Sequence, residues 1–218
     1  MDTQIARILK KVGEDYNLKG TLTDFTNCIN GHINGTYRVK YALDGGTYKE
    51  YIFQKINEYV FKEPAKVMHN IREITLHLQS KKTEKDCDII KFMDCKDGKN
   101  YTYCEGGYWR VCDFVENAVT YETAEDARVL RSAGYAFGRF QYLLSDFPMD
   151  RLFYTIPDFH NTKKRLKDFF DTVALDVMGR AKGLSKEIKF FEKYRNEASK
   201  LTDMQDKGDL PLRVTHND

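Results

Sequence analysis

Two stretches of alternating polar and apolar residues, 37–43 and 48–56, flank the tripeptide Asp44-Gly45-Gly46. Alternation sends successive side chains to opposite faces, and adjacent glycines supply the backbone of a tight turn, so this spacing predicts a β-hairpin. Upstream, Ile5, Ile8, Leu9, Val12 and Tyr16 recur at helical spacing with charges opposite, as in a packing helix; Gly20 ends it and residues 22–26 read as a short strand. Downstream, Pro64 can open a helix whose buried face is Val67, Ile71, Ile74 and Leu78. Residues 89–93, 101–104 and 108–114 read as further strands, separated by turns at Asp97-Gly98 and Gly106-Gly107. The first half is expected to be a five-stranded, mainly antiparallel sheet with one embedded helix.

After Phe114 the composition changes. Val115-Glu116-Asn117 reads as a connector, and the chain is then helical in pattern to residue 211. Thr123 precedes a stripe of Val129, Leu130, Ala133, Phe137, Phe140 and Leu144, in which Gly134 and Gly138 would let another helix approach. A second helix carries Leu166, Phe169, Phe170 and Val173. A third runs from about Ser185 with Ile188, Phe191, Tyr194 and Leu201 inward, closed by Gly208 and Pro211. Residues 212–215 read as a strand leading into His216, Asn217 and Asp218.

Several function classes lose support. With 35 Lys and Arg against 33 Asp and Glu the net charge is +2, so no strong field points to nucleic acid or an anionic membrane. Asp2, Arg7, Lys10, Lys11, Glu14 and Asp15 leave no apolar core for a signal peptide, and no apolar run is long enough to span a bilayer; a soluble cytoplasmic protein is expected. The five cysteines are odd in number and form no Cys-x-x-Cys pair, which suggests reduced, structural thiols. The histidines show no His-Glu-x-x-His spacing, so no protein-only metal site is expected.

Three places carry chemistry. In residues 30–37, Gly31 and Gly35 let the backbone approach an anion while Asn34 and Thr36 add donors, as a loop over nucleotide phosphates requires; the same residues also build ordinary turns. In the following strand Gln54 shares a face with Ile52 and Ile56, and Lys55 shares the other with Phe53, leaving open which of them meets a phosphate. Glu73, on the helix opened by Pro64, suits either a solvated surface or a pair with a lysine. The third place is His216-Asn217-Asp218, which has the His-x-Asp spacing of kinase catalytic loops.

The order of these features, together with GHINGTY at 31–37, QKINEYVFKEPAKVMHNI at 54–71, GGYWRVCDFVEN at 106–117, AGYAFGRFQYLLSDF at 133–147 and PLRVTHND at 211–218, resembles the kinase-like superfamily of aminoglycoside phosphotransferases and choline kinases. The resemblance is closest to the N-acetylhexosamine 1-kinases, where a glutamine also stands in the lysine position. It implies an α+β, protein-kinase-like bilobal fold: a nucleotide-binding β-rich lobe over 1–116, then the first part of a helical lobe over 117–218 ending at the catalytic loop. It further implies ATP and Mg2+ as cofactors and a small sugar as partner. Asp218 would be the base for the anomeric hydroxyl, residues 31–36 the phosphate cover, with His32 or Asn34 reaching toward sugar or nucleotide. Backbone groups of Phe114, Val115 and Glu116 would hold the adenine. In the superfamily the metal ligands follow the base, so the resemblance implies a truncated kinase, of little activity as it stands, with a surface prone to self-association. Kinases for an aminoglycoside, choline or homoserine, and a non-catalytic nucleotide-binding protein, remain as alternatives.

Overall fold

The structure is a computed structural model that describes every residue except 1, 2, 30–32, 82, 84–88, 122, 124, 125, 217 and 218, and the side chain of Thr3. The elements follow as α1 (Thr3–Glu14), β1 (Thr21–Cys28), β2 (Gly35–Ala42), β3 (Tyr48–Lys55), α2 (Pro64–Lys81), β4 (Thr102–Cys104), β5 (Gly107–Asp113), α3 (Ala127–Leu143), α4 (Thr162–Leu175), α5 (Ser185–Lys193) and α6 (Arg195–Asp206). The five strands make one sheet, ordered β1-β2-β3-β5-β4, with every neighbour antiparallel. The chain divides into two compact units, one taking the chain up to Thr155 and again from Val214, the other Ile156–Arg213.

In the first unit the hairpin forms as its pattern requires. Ala42 pairs with Tyr48, and Gly45 and Gly46 both take positive φ (86° and 79°) between them. A second hairpin joins β4 to β5 through Glu105 and Gly106, whose φ values of 49° and 73° are those of a type I′ turn. That turn sets Cys104 opposite Gly107 and Thr102 opposite Trp109. One face of the sheet is covered by α1: Leu9 and Val12 are fully buried with Val39, Tyr41, Tyr51, Phe53, Trp109 and Val111. Gly13 is where the helix comes closest, since a Cβ there would lie 2.2 Å from the Tyr41 hydroxyl. Ion pairs from Lys11 and Arg7 to Glu105, and a hydrogen bond from the Thr102 hydroxyl to Asp15, tie α1 to the β4–β5 hairpin.

A second cluster joins Leu78 of α2 to Leu143 and Leu144, Phe147 and Val214. The end of this unit is clamped to α2 through backbone groups. Asn70 donates to Phe153 O at 2.7 Å and accepts from its N–H at 2.9 Å, while Glu73 pairs with Arg151. Glu73 is therefore neither solvated nor paired with a lysine. Its side chain is 13% exposed, and its buried Oε2 meets the guanidinium without hydrogen-bond alignment.

The second unit is built from α4, α5 and α6. Asn161 caps α4 by accepting from Lys164 N–H at 3.0 Å, and Lys163 reaches Asp203 and Asp206 of α6 at 2.9 and 3.8 Å. Phe169 packs on Phe170 and Phe191 with ring centroids 5.1 and 4.9 Å apart. Leu166 is its buried apolar residue, while Phe190, Phe191 and Leu201 remain exposed.

The structure departs from the sequence expectation in five places. Residues 89–93 form no strand: Phe92 makes a single antiparallel bridge to Cys112, and Met93 N–H donates to Val111 O at 2.8 Å, where the chain crosses the edge that β4 leaves free. The run 212–215 is not a strand either, and within it Val214 is buried. The helix expected from Ser185 is interrupted at Tyr194, whose φ and ψ of −98° and 14° separate α5 from α6. Gly134 and Gly138 of α3 face open space among the described residues, so they mark no helix contact. The first turn of α3 is capped by Asp126, which accepts from Arg128 N–H at 2.8 Å, rather than by Thr123.

Candidate nucleotide site

The face of the sheet turned away from α1 is polar. Period-two alternation puts Thr36 and Arg38 of β2, Glu50, Ile52 and Gln54 of β3, and Arg110 and Cys112 of β5 on this side, and the register aligns Thr36, Gln54 and Arg110 as direct cross-strand neighbours. They are joined by hydrogen bonds. Arg110 Nε donates to Gln54 Oε1 at 3.0 Å, and Gln54 Nε2 donates to Thr36 Oγ1 at 3.0 Å. The Thr36 hydroxyl in turn lies 3.4 Å from Asn34 O, at the mouth of the loop.

Arg110 is a cation of this face alongside Arg38, and sequence reasoning did not single it out. Its guanidinium lies over the Phe92 ring, 4.4 Å from the centroid, with Nη1 3.8 Å from the Met68 sulfur, and among the described residues no carboxylate pairs with it. Burial pushes its pKa down because the charged form is poorly solvated there. Beside it, burial pushes the Cys112 thiol up to about 11, with the Arg110 charge opposing that shift. A signal existed in the pattern: Arg110 is a charge set between the buried apolar residues Trp109 and Val111.

Phe114 belongs to the same face. The Arg38 guanidinium stacks on its ring at 3.9 Å while hydrogen-bonding Glu50, which raises the Arg38 pKa. Phe114 N–H donates to Glu50 O at 3.2 Å, and Val115 and Glu116 beyond it are exposed. Thr36, Gln54 and Phe114 are thus brought together on one side of the sheet. Lys55 is not among them. It lies on the opposite face, packed over Gly107, where a Cβ would stand 2.3 Å from Lys55 Cε. There it borders an open hollow of about 290 Å³ lined by Ile33, Gly35, Ile56, Asn57 and Gly106.

The loop's second edge is held by a residue the sequence reading also passed over. Asn57 N–H donates to Asn34 Oδ1 and Asn57 Nδ2 to Ile33 O, both at 3.0 Å, while its Oδ1 accepts from Tyr59 N–H at 2.9 Å. The Asn34 oxygen is consequently spent on holding the loop to the β3–α2 connection. An Asn followed at two residues by a backbone donor is an Asx-turn signal, which the sequence did carry. Gly31 and His32 lie outside the described residues.

Asp218 and Asn217 also lie outside the described residues. The run leading to them is anchored: Val214 is 8% exposed in the second cluster, and the His216 ring stands edge-on to Phe137 and Phe140 of α3 at 5.1 and 6.5 Å. For Mg2+, no three His, Cys, Asp or Glu side chains converge among the described residues, so they offer it no ligand set. The four described cysteines are free, and no described helix is long and apolar enough to cross a membrane.

No family model matches the sequence. Among solved structures, the chain is similar to the amicoumacin kinase hAmiN in complex with AMP-PNP, Ca2+ and Ami, at 17% identity and a TM-score of 0.54 over 87% of this chain and 54% of that one. It is also similar to the spectinomycin phosphotransferase APH(9)-Ia in complex with ADP and spectinomycin, at 10% identity and a TM-score of 0.50 over 95% of this chain and 59% of that one. The chain thus spans between half and three fifths of the length of these structures. With a five-stranded antiparallel sheet, α1 on one face and this likeness to two phosphotransferase structures, the chain has a kinase-like α+β fold.

Proposed function

We propose that this chain is the nucleotide-binding part of an ATP-dependent small-molecule phosphotransferase, with residues 1–116 holding the nucleotide and 117–218 opening the acceptor side. The observation that carries the reading is the gathering of Thr36, Gln54 and Phe114 on one sheet face beneath the loop at Asn34, in a fold shared with phosphotransferases. Adenine would lie against the segment from Phe114 to Glu116. The phosphates would meet Thr36, Gln54 and the glycines of the loop. Asp218 would accept the proton of the acceptor hydroxyl as its oxygen bonds to the γ-phosphorus and the bond to ADP breaks. Positioning and charge neutralisation, rather than strong acid–base chemistry, carry such a transfer.

The sequence resemblance favours an N-acetylhexosamine, giving the sugar 1-phosphate, over an aminoglycoside, choline or homoserine. A non-catalytic nucleotide-binding role is the second reading, favoured by the uncharged Gln54 where a lysine would meet the phosphates. The deciding experiment supplies ATP and Mg2+ with a panel of these acceptors to this chain and to any longer product of the same reading frame. Phosphorylated N-acetylhexosamine, abolished by Asp218→Asn, is the expected result. Nucleotide binding with no transfer to any acceptor would leave the binding role instead.

A further inference from the structure

We propose that Arg110 is a positioning residue that acts on nucleotide phosphates through Gln54, a hydrogen-bond relay taking the place of a direct lysine contact. The inference rests on the nucleotide-binding reading above and concerns how that site handles charge. A guanidinium has donors only, so the Gln54 atom 3.0 Å from Arg110 Nε must be the amide oxygen. The amide nitrogen is thereby turned toward Thr36 and the loop. The chain of donors then runs one way, from Arg110 to Gln54, to Thr36, to Asn34 O. Each link accepts on the side of the cation and donates on the side of the loop. Such a chain is polarised by the charge at its head.

The remaining details agree with that role. Arg110 has no carboxylate partner among the described residues, so none of them cancels its charge, and the Phe92 ring and the Met68 sulfur lie against its guanidinium. Gln54 Nε2 carries two hydrogens, of which one is used on Thr36. The second is available to an oxyanion entering this face. Lys55 takes no part, being on the far side of the sheet. The ligand fitting this arrangement is the oligophosphate of a nucleotide rather than its base.

The test compares AMP-PNP with adenosine by calorimetric titration, in the full chain and in Arg110→Met, Gln54→Met and the double variant. Loss of a hydrogen bond to a charged group predicts about tenfold weaker AMP-PNP binding in either single variant. Adenosine binding is expected to stay within about twofold, and the double variant to be no weaker than the singles, because both break one relay. Equal loss of both ligands in Arg110→Met would reduce Arg110 to a structural role and overturn the proposal. So would a Gln54→Met chain that binds AMP-PNP normally. Should Arg110→Met not fold, Gln54→Glu keeps the shape and the Arg110 contact but removes both N–H donors, and must weaken AMP-PNP while sparing adenosine. A parent chain that binds neither ligand would instead overturn the nucleotide reading itself and the relay with it.

Discussion

One face of the sheet and the other are made from the same strands, yet they have opposite chemistry. Under α1 lie Val39, Tyr41, Tyr51, Phe53, Trp109 and Val111, all buried; on the reverse lie Thr36, Arg38, Glu50, Gln54 and Arg110, joined by hydrogen bonds, an ion pair and ring stacking. Sequence neighbours therefore have different work. Phe53 is fully buried while Gln54 bridges Thr36 and Arg110; Trp109 is core while Arg110 is the cation opposite. The difference teaches that stability and site are separable by substitution even though no residue lies between them.

The sharpest way to break that separation is Phe53→Ala. Removing a fully buried aromatic should cost about 3–5 kcal/mol, read as a lower urea midpoint, and a loss under about 1 kcal/mol would mean that the face under α1 is not the core. Alkaline pH probes the reverse face. Cys112 titrates near 11 in the folded chain against an ordinary value of 9.0, so its neutral form contributes fully below pH 9 and that contribution is lost as pH rises toward 11. About 2–3 kcal/mol should disappear over that window. In Cys112→Ala the drop should shrink by that amount, and an unchanged pH slope would show that the thiol is not desolvated.

Smaller effects sharpen the contrast. Asn57→Ala loses the side-chain bonds to Ile33 O and Tyr59 N–H, and should cost about 1 kcal/mol while speeding hydrogen exchange at residues 33–36. Unchanged exchange there would remove Asn57 as the loop's tether. Glu50→Gln, at the rim of the polar face, should shift stability by less than about 1 kcal/mol because Arg38 is exposed and keeps its place over Phe114. A larger loss in a thermal melt would make that pair part of the core.

Local pattern made much of this fold legible. Alternation around Asp44-Gly45-Gly46 gave the hairpin, and the stripe from Ile5 to Tyr16 gave α1, because each depends on residues close in sequence. Residues 89–93 have the composition of a strand, but whether they pair depends on how much of β5 is left free by β4, which is a non-local quantity. The interruption at Tyr194 carries no glycine or proline to announce it. In the candidate site, Thr36 and Gln54 could be named from sequence because they flank the same hairpin. Arg110 showed only as a charge set between apolar Trp109 and Val111, since its place beside Gln54 is set by a pairing between strands more than fifty residues apart.

The turn at Glu105 and Gly106 has a consequence for how such a chain can vary. It fixes the register of the short edge strand β4 against β5, whose own parity is held by its pairing with β3. Inserting or deleting a single residue there would slip β4 by one place, turning Thr102 and Cys104 away from Asp15 and the core under α1. Length changes in this hairpin should therefore be tolerated only in twos, whereas the identity of the turn residues is limited by their positive φ and, at Glu105, by the ion pairs to Lys11 and Arg7.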